Sequence, residues 1–405
     1  MRADVAVVGG GAAGIAAAVS AARTGARVAL IDRNGMLGGQ ASGAMVHSIC
    51  GLYLLRGDES RPPQPANHGF PMEFANGLIA MGGAKGPVRM GRLDVLLHEP
   101  AAFAILADRL CANLTGLEVR LHTEILAVES DGARFLLRLN SRGRQEELVA
   151  ATVVDATGDA EAAALAGAGC AQSDHLQRPA FIFKLAGVNP RAMTADGRIR
   201  VAQVLTAAVA DRTLPASALG TIFRMGVAEE EVWATTDLAA DGFDPFDSRW
   251  LSAIEREGRD IASQVLRFLR AKVPEFRRAD IAAFPGRAGI RESRRIQGQY
   301  ELTADDVRQG ASFADAVAFS AWPIELREAH TGPKFRFPLE NRPCGIPLRS
   351  LRARDVPSLF MAGRCISCSH EAQAAIRVIG TCLATGEAAG KAAGGKAGRN
   401  GEVDL

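Results

Sequence analysis

The chain has 405 residues, 48% of them hydrophobic, enough to bury one large core or two medium ones, so two domains are the natural expectation. Its 47 basic and 45 acidic residues leave a net charge of +2, and no Lys/Arg block is interleaved with aromatics, which argues against nucleic acid as a main partner. The first apolar run is too short and too glycine-flanked for a signal or a membrane span, and seven scattered cysteines, an odd number, do not make a secreted disulfide framework; a cytoplasmic protein with reduced thiols is expected.

In chain order, the run Val5 to Val8 leads into Gly9-Gly10-Gly11-Ala12-Ala13-Gly14, then an Ala-rich helix from Ala12 to Thr24 closed by Gly25. A second apolar strand, Val28 to Ile31, ends on Asp32. This is the order of a dinucleotide-binding βαβ unit. Gly9 makes the tight turn, Gly11 lets the backbone approach a pyrophosphate, and Gly14 lets the helix pack closely on the strand. The phosphates would sit on the helix N-terminus, at the first turn that contains Ala13. Asp32 is placed to accept hydrogen bonds from both ribose hydroxyls and would repel a 2'-phosphate, which points to FAD or NAD and away from NADP. The glycine-rich stretch from Arg33 to Gly43 suits neither a strand nor a helix interior. It is expected as a loop lying against the ligand, with Arg33, Gly39, Gln40 and Ser42 facing it.

Residues 56 to 69 are polar and proline-rich and read as an exposed excursion, followed by a helix from about Ala101 to Asn113. Glu118 to Glu129 alternates apolar and polar residues, and Phe135 to Leu139 with the turn Ser141-Arg142-Gly143 continues the pattern, as in a small antiparallel meander. The meander returns through a buried strand, Thr152 to Asp155, to the turn Ala156-Thr157-Gly158 at the carboxyl ends of the parallel strands, where ligands bind. From about Gly169 to Phe335 the glycine fingerprint is gone and mixed elements follow, with helices near 249 to 272 and 312 to 321. A glycine-rich segment reappears at Leu359 to Arg364, and residues 371 to 393 read as one long helix with small residues on one face. The expected organisation is therefore α/β: a discontinuous Rossmann-like nucleotide domain with a β-meander (1–168 and 336–395), a smaller mixed α+β substrate domain (169–335), and a frayed tail (396–405).

Three separated pieces, GGGAAGIAAA with IDRNGMLGGQASG, GIRESRRIQGQYELTADDV and LFMAGRCISCSHEAQAAIRVIGTCLATGEAAGKAA, together resemble the FAD-dependent oxidoreductases of the glutathione-reductase-like superfamily, and within it the FAD_oxidored group. The resemblance covers nearly the whole chain in matching order. It implies FAD as cofactor, with Gly9, Gly11 and Gly14 at the pyrophosphate and Asp32 at the adenosine ribose. It implies Ile125 meeting adenine through its backbone, and Thr157 and Gly158 near the pyrophosphate. Gly363 and Arg364 fall where related flavoproteins carry a Gly-Asp pair at the ribityl chain. The helix beginning near Glu371, which contains Ala375, is expected to aim its N-terminus at the flavin pyrimidine, where it would stabilise the negative charge of the reduced ring. A second GxGxxG for NAD(P)H and the CxxxxC of the disulfide reductases are both missing.

Candidates for chemistry follow from that frame. Strand alternation over Gly289 to Arg295 would put Arg291, Ser293 and Arg295 on one face, as a clamp for a carboxylate substrate or flavin O4. The alternative is a domain-interface ion-pair network using the same residues. His370, just before the flavin-facing helix, could move a proton as neutral imidazole or merely cap the helix. His47 and Cys50 could attach to the flavin, Cys50 could be a redox thiol, or both could pack against the ring. His330 is a weaker pocket candidate, and Arg377 reads as solvated or ion-paired. Cys365 and Cys368 have CxxC spacing, but no second half of a metal site accompanies them, and no metal is expected. The function implied is hydride transfer between a small substrate, polar and either neutral or anionic, and flavin N5, with oxygen, a quinone or a carrier as electron partner. A non-redox dinucleotide protein of the thiazole-synthase kind, or a flavin electron-transfer subunit, stays open, as does homo-oligomerisation.

Overall fold

Alternation along the first strand, Arg2–Val8, sets the layering. Val5 and Val7 enter one hydrophobic core and Ala6 and Val8 another, because successive side chains of a strand leave on opposite faces. The strand is central in a seven-stranded sheet whose order is Leu117–Arg120, Val28–Ile31, Arg2–Val8, Arg144–Asp155, Phe135–Ser141, Glu124–Ser130. The first four run parallel, and the short strand Leu359–Met361 joins them by pairing parallel with the end of Arg144–Asp155. The architecture is thus α/β with a Rossmann-like parallel core. The computed structural model describes residues 1–228, 231–239, 241–329 and 332–401.

Arg144–Asp155 serves two partners in succession. Its first half pairs antiparallel with Phe135–Ser141, across a two-residue turn with positive φ at Arg142 and Gly143, the geometry that matches strand twist. Its second half enters the parallel sheet. One face of the sheet is covered by the helices Ala12–Ala22, Phe70–Ala80, Pro100–Ala112 and Ile379–Gly401. The first and last of these touch backbone to backbone: a methyl group at Gly386 or Gly390 would lie 2.1 or 2.2 Å from the carbonyl oxygens of Ala13 and Ala17. The small-residue face seen in the sequence is this contact.

A second sheet, entirely antiparallel, runs Ile222–Met225, Val232–Asp237, Ala180–Ala186, Asp280–Ala283. Phe181, Phe183, Phe223 and Ala234 on one face bury against Ile254, Ile261, Val265 and Leu269 of the long helix Ser248–Lys272 in a core of their own. The other face turns Ala180, Ile182 and Trp233 onto Met45 and Val46, so this sheet roofs the loop that follows the glycine turn. By contrast Ile296, Leu302, Ala318, Ile324 and Leu326 share the core of the first sheet with Val153 and Met361.

Three segments differ from the sequence reading. Glu118 to Glu129 is not one meander strand: His122 takes φ 52°, the chain turns, and the Thr123 N–H donates to the Asp32 carbonyl at 3.0 Å, so the first part pairs parallel with Val28–Ile31 and only Glu124–Ser130 enters the meander. Residues 312 to 321 do not form a helix. Ala316–Ser320 is a strand on Cys344–Pro347, with Ala318 and Ser320 buried and Val317 and Phe319 exposed, a period of two. The single helix expected over 371 to 393 is two, His370–Ile376 and Ile379–Gly401. The Gly380 N–H is given to the Cys50 carbonyl at 2.9 Å, and the backbone of Cys50 to Leu52 presses on Gly380 where a turn of helix would otherwise continue. The second helix runs on to Gly401, into the segment read as tail, and 402–405 lie outside the described residues.

Candidate functional site

The glycine turn behaves as its spacing demands. Gly9 sits at φ 101°, open to glycine alone at little cost, and a methyl group at Gly14 would stand 1.7 Å from the Gly9 carbonyl oxygen, so the helix can start this close to the strand only without a side chain there. Gly11 caps the helix with no side-chain partner, leaving the first-turn N–H groups for a ligand. Across from it, the Gly38 N–H bonds the Gly10 carbonyl at 2.8 Å, and a methyl on Gly39 would be 2.7 Å from Gly11 Cα. Turn and loop thus form a floor made of backbone.

A cavity of about 420 Å3 runs over this floor. Gly9, Gly11, Ala13, Asp32, Arg33, Gly39, Gln40, Ile125, Thr157, Gly158, Gly363 and Arg364 all line it, and residues scattered over the whole chain are gathered into one groove. Three expected contacts do not. Gly14 faces the strand, the Ser42 hydroxyl is turned away to donate to the Leu37 carbonyl at 2.6 Å, and Ala375 is fully buried in the core, its carbonyl accepting from Ser320. The helix end that borders the groove belongs to Ile379–Gly401, since Arg377, Ile379 and Cys382 line it. The break between the two helices is what displaces Ala375.

At one end, Asp32 is buried and accepts from the Gly10 N–H and from both nitrogens of Asn34 at 2.7 and 2.6 Å. Arg287 reaches from the roof to donate to the Asn34 side-chain oxygen at 2.6 Å, and burial lowers its pKa. In the middle, Arg364 is held by Asp159 at 2.7 Å and Ser293 at 2.9 Å, and lies against Gly158. Burial opposes ionisation of Asp159 most strongly, but the Arg364 charge, the hydrogen bonds from Ser293 and Arg364 and the Arg33 charge together keep the carboxyl below its ordinary range. Asp155 stays raised by burial while it accepts from Thr157 and from the Ala163 N–H, shaping the Thr157-Gly158 turn. Asn34, Asp159, Glu161, Arg287 and Arg377 were not singled out as ligand contacts by the sequence, because no local motif marks them; only the approach of distant segments does.

The expected catalytic residues are dispersed. Arg291 does not enter the groove: it bonds Asp237 at 2.7 Å, which also takes Arg327 at 3.1 Å. Arg295 bonds Glu292 at 2.7 Å and the Cys368 carbonyl at 2.8 Å. Strand alternation fails because only Arg295–Ile296 is strand here, so Glu292 and Arg295 meet on one side. The geometry is that of the internal ion-pair network, not of an open clamp. His370 lies between Glu292 at 2.8 Å and Glu328 at 3.0 Å, which raises its pKa and favours the imidazolium over the neutral base expected. It does not line the groove.

His47 is buried, stacked on Trp233 at 4.9 Å, and pushed down to about 3 by burial first and then by the Arg224 and His98 charges. Cys50 is pushed up to about 11, mainly by burial, which disfavours a reactive thiolate, and neither residue lines the groove. Cys365 and Cys368 are buried free thiols, with Cys368 raised to about 12. His330 lies outside the described residues. No helix among the described residues is long and apolar enough to cross a membrane.

The backbone floor, the acidic residue at the end of the second strand and the groove above them fit a dinucleotide, and the family comparison agrees. No curated protein matches the chain. Among solved structures, it resembles a geranylgeranyl bacteriochlorophyll reductase-like protein from Thermoplasma acidophilum at 13% identity and TM-score 0.46, covering 100% of this chain and 79% of that one. It also resembles the OxyS anhydrotetracycline hydroxylase from Streptomyces rimosus, at 13% identity and TM-score 0.48, covering 98% of this chain and 63% of that one. Family membership rests instead on the model of the FAD dependent oxidoreductases, which matches residues 4–403: the chain belongs to that family, as an enzyme with FAD as its cofactor.

Proposed function

We propose that the protein exchanges a hydride between a small polar, anionic organic substrate and FAD, within the glutathione-reductase-like superfamily. The observation that carries this reading is the groove itself, floored by Gly9, Gly11 to Ala13 and Gly39, walled by Asp32 and Arg364, and bordered on its far side by Leu251, Glu255, Arg287 and Ile290 from the part with its own core. Bound FAD supplies two-electron redox chemistry at its N5. The first-turn N–H groups around Gly11 and Ala13 would hold the pyrophosphate, with the nearby Arg364 and Arg287 charges balancing it. Asp32 would take the ribose hydroxyls, and Ile125 and Thr157-Gly158 would border the rest of the cofactor. Gly363 approaches Ala13 so closely that a methyl there would lie 2.8 Å from the Ala13 side chain, which favours an unbranched path along the groove.

The substrate would lie past Gln40 and Arg377, under the roof. That placement excludes bulk water from the reacting end. The functional division we draw is a nucleotide-binding part, 1–168 with the C-terminal strand and helices, and a substrate part centred on 180–288; that Ile296, Leu302, Ala318, Ile324 and Leu326 share the core of the first sheet supports a boundary before them instead of at 335. All seven cysteines being free suits a reducing, cytoplasmic setting. Oxygen, a quinone or a carrier would serve as electron partner.

The test is to denature the purified protein, identify the released chromophore by mass and absorbance, and screen small acids, amines and alcohols for anaerobic bleaching of the bound flavin. FAD release with bleaching by one class is the expected result. A protein that neither contains nor takes up FAD would sink the reading.

A further inference from the structure

Beneath the roof, beyond the groove's Arg377 end, four guanidiniums crowd around two carboxylates. Arg291 and Arg327 both bond Asp237, and Arg327 also bonds Glu325 at 2.8 Å, so these two cations are matched. Arg224 and Arg377 are left over. Among the described residues Arg224 has no hydrogen bond or ion pair, although it is mostly buried. Among the described residues Arg377 makes two long bonds, 3.3 Å each, to the neutral oxygens of Gln177 and the Glu325 backbone, and its buried Nε has no partner there. The other carboxylate that Arg377 senses, Glu292, is already held by Arg295 and His370. Burying an unmatched charge is costly, so two spare guanidiniums in one place call for a counter-ion.

Strand register locates them. Arg224 pairs directly with Trp233 and Lys184 pairs with Trp233 from the other side, so all three leave the sheet on the face that looks down on the loop. Lys184 is matched twice, by Glu99 at 3.2 Å and Glu231 at 2.6 Å, which leaves Arg224 as the free cation of the row among the described residues. Arg377 lines the groove from below, beside Ile379. Val227, three residues past Arg224, packs in one cluster with Cys50 and with Val378, the neighbour of Arg377, and the Cys50 carbonyl takes the Gly380 N–H at 2.9 Å, so the two cations approach Cys50 from opposite sides. Trp233 Nε1 and both His47 ring nitrogens are buried there without partners, so the space is polar as well as positive.

We infer that Arg224 and Arg377 form an anion-binding end to the substrate site, taking the carboxylate of a small organic acid between roof and floor. A carboxylate matches the guanidinium fork and can accept from two at once, restoring the charge balance that Asp237 and Glu325 leave incomplete. The inference deepens the proposed function and rests on it only for which end of the groove is the reacting one.

The test uses the purified holoprotein, titrated with benzoate and acetate, with benzamide and acetamide as neutral controls and inorganic phosphate as a separate arm. Intrinsic fluorescence is one readout, since Trp233 shares the face of Arg224 and Trp322 bonds Glu325; perturbation of the flavin band is the other. Saturable change with a carboxylate and none with its amide is expected. Arg224→Gln and Arg377→Gln should each weaken it by about tenfold, and Arg224→Lys should recover part of the loss. Melting temperature checks that each variant is folded. The inference is overturned if no carboxylate binds saturably, if binding survives both Gln variants, or if phosphate alone binds. FAD content, measured on the same sample after denaturation, fails or holds independently of these titrations.

Discussion

The dinucleotide end of the groove and the charged cluster beyond its Arg377 end are built by different means. At the dinucleotide end the floor comes from backbone and small residues close in sequence, Gly9, Gly11 to Ala13, Gly38 and Gly39, with the Asp32 carboxylate at the end of the second strand. Beneath the roof the structure is made of long charged side chains, with Asp237, Arg291, Glu325, Arg327 and Arg377 brought together from four stretches of chain. The first end tolerates almost no added atom, and the second almost no lost charge. This contrast predicts which substitutions hurt and how.

The largest effect is expected at the charged end. Asp237→Ala would leave Arg291 and Arg327, each buried, with Glu325 as the remaining carboxylate of the cluster, and removing one partner of a buried pair costs about 3–5 kcal/mol. Urea unfolding of the holoprotein measures it, and a loss below about 1 kcal/mol, the range of exposed pairs, would show that solvent reaches the cluster. Next comes Gly14→Ala at the backbone end. The added methyl would meet the Gly9 carbonyl at 1.7 Å, so helix and strand must separate, at about 1–3 kcal/mol and with loss of bound FAD. If the variant keeps full flavin content, close helix packing is not what shapes the turn.

Asp32→Asn separates the two ends more finely. Its carboxylate bonds Gly10 and Asn34 in the protein itself, so part of the loss is local shape and part is the ribose contact. A hydrogen bond to a charged group contributes about 1.5–3 kcal/mol, so FAD affinity should fall by about ten- to a hundredfold, beyond the lower melting temperature that the flavin-free protein shows from its own weakened Gly10 and Asn34 bonds. An affinity within twofold of wild type would move the ribose elsewhere in the groove.

The same contrast explains what the sequence made legible. Gly9, Gly11, Gly14 and Asp32 were readable because one βαβ unit fixes their spacing, and the groove that Gly9, Gly11 and Asp32 line is where that spacing put it. The meander turn at Arg142-Gly143 was readable for the same local reason. The helix over 371 to 393 was misread because its break depends on the Cys50 carbonyl, more than three hundred residues away, capturing the Gly380 N–H. Arg291 and Arg295 were visible as charges but not as partners. Whether a guanidinium is a clamp or half of an ion pair depends on where Asp237 and Glu292 lie, and no period in the chain encodes that.

His370 gives the smallest effect and the clearest sign. It sits between Glu292 and Glu328, and its pKa is raised above the ordinary 6.5, chiefly by the hydrogen bond to Glu292. A group whose pKa is higher folded than unfolded adds stability that is complete below the unfolded value and disappears as pH rises through the folded one. Glu292 works the opposite way. Burial opposes its ionisation, but His370 and the other partners hold its carboxyl below 4.5, so its contribution is present above that value and lost as pH falls through the lowered one. The pair should therefore stabilise most between about 4.5 and 6.5, the two reference values. His370→Asn keeps a hydrogen-bonding side chain without the charge, and should flatten the decline in stability above about pH 6.5 while leaving the FAD content unchanged. Urea unfolding at a series of pH values reads the slope directly. An unchanged slope would mean that Glu292 relies on Arg295, at 2.7 Å, and that the histidine adds no charge to the ion-pair network, the helix being capped by Ser369.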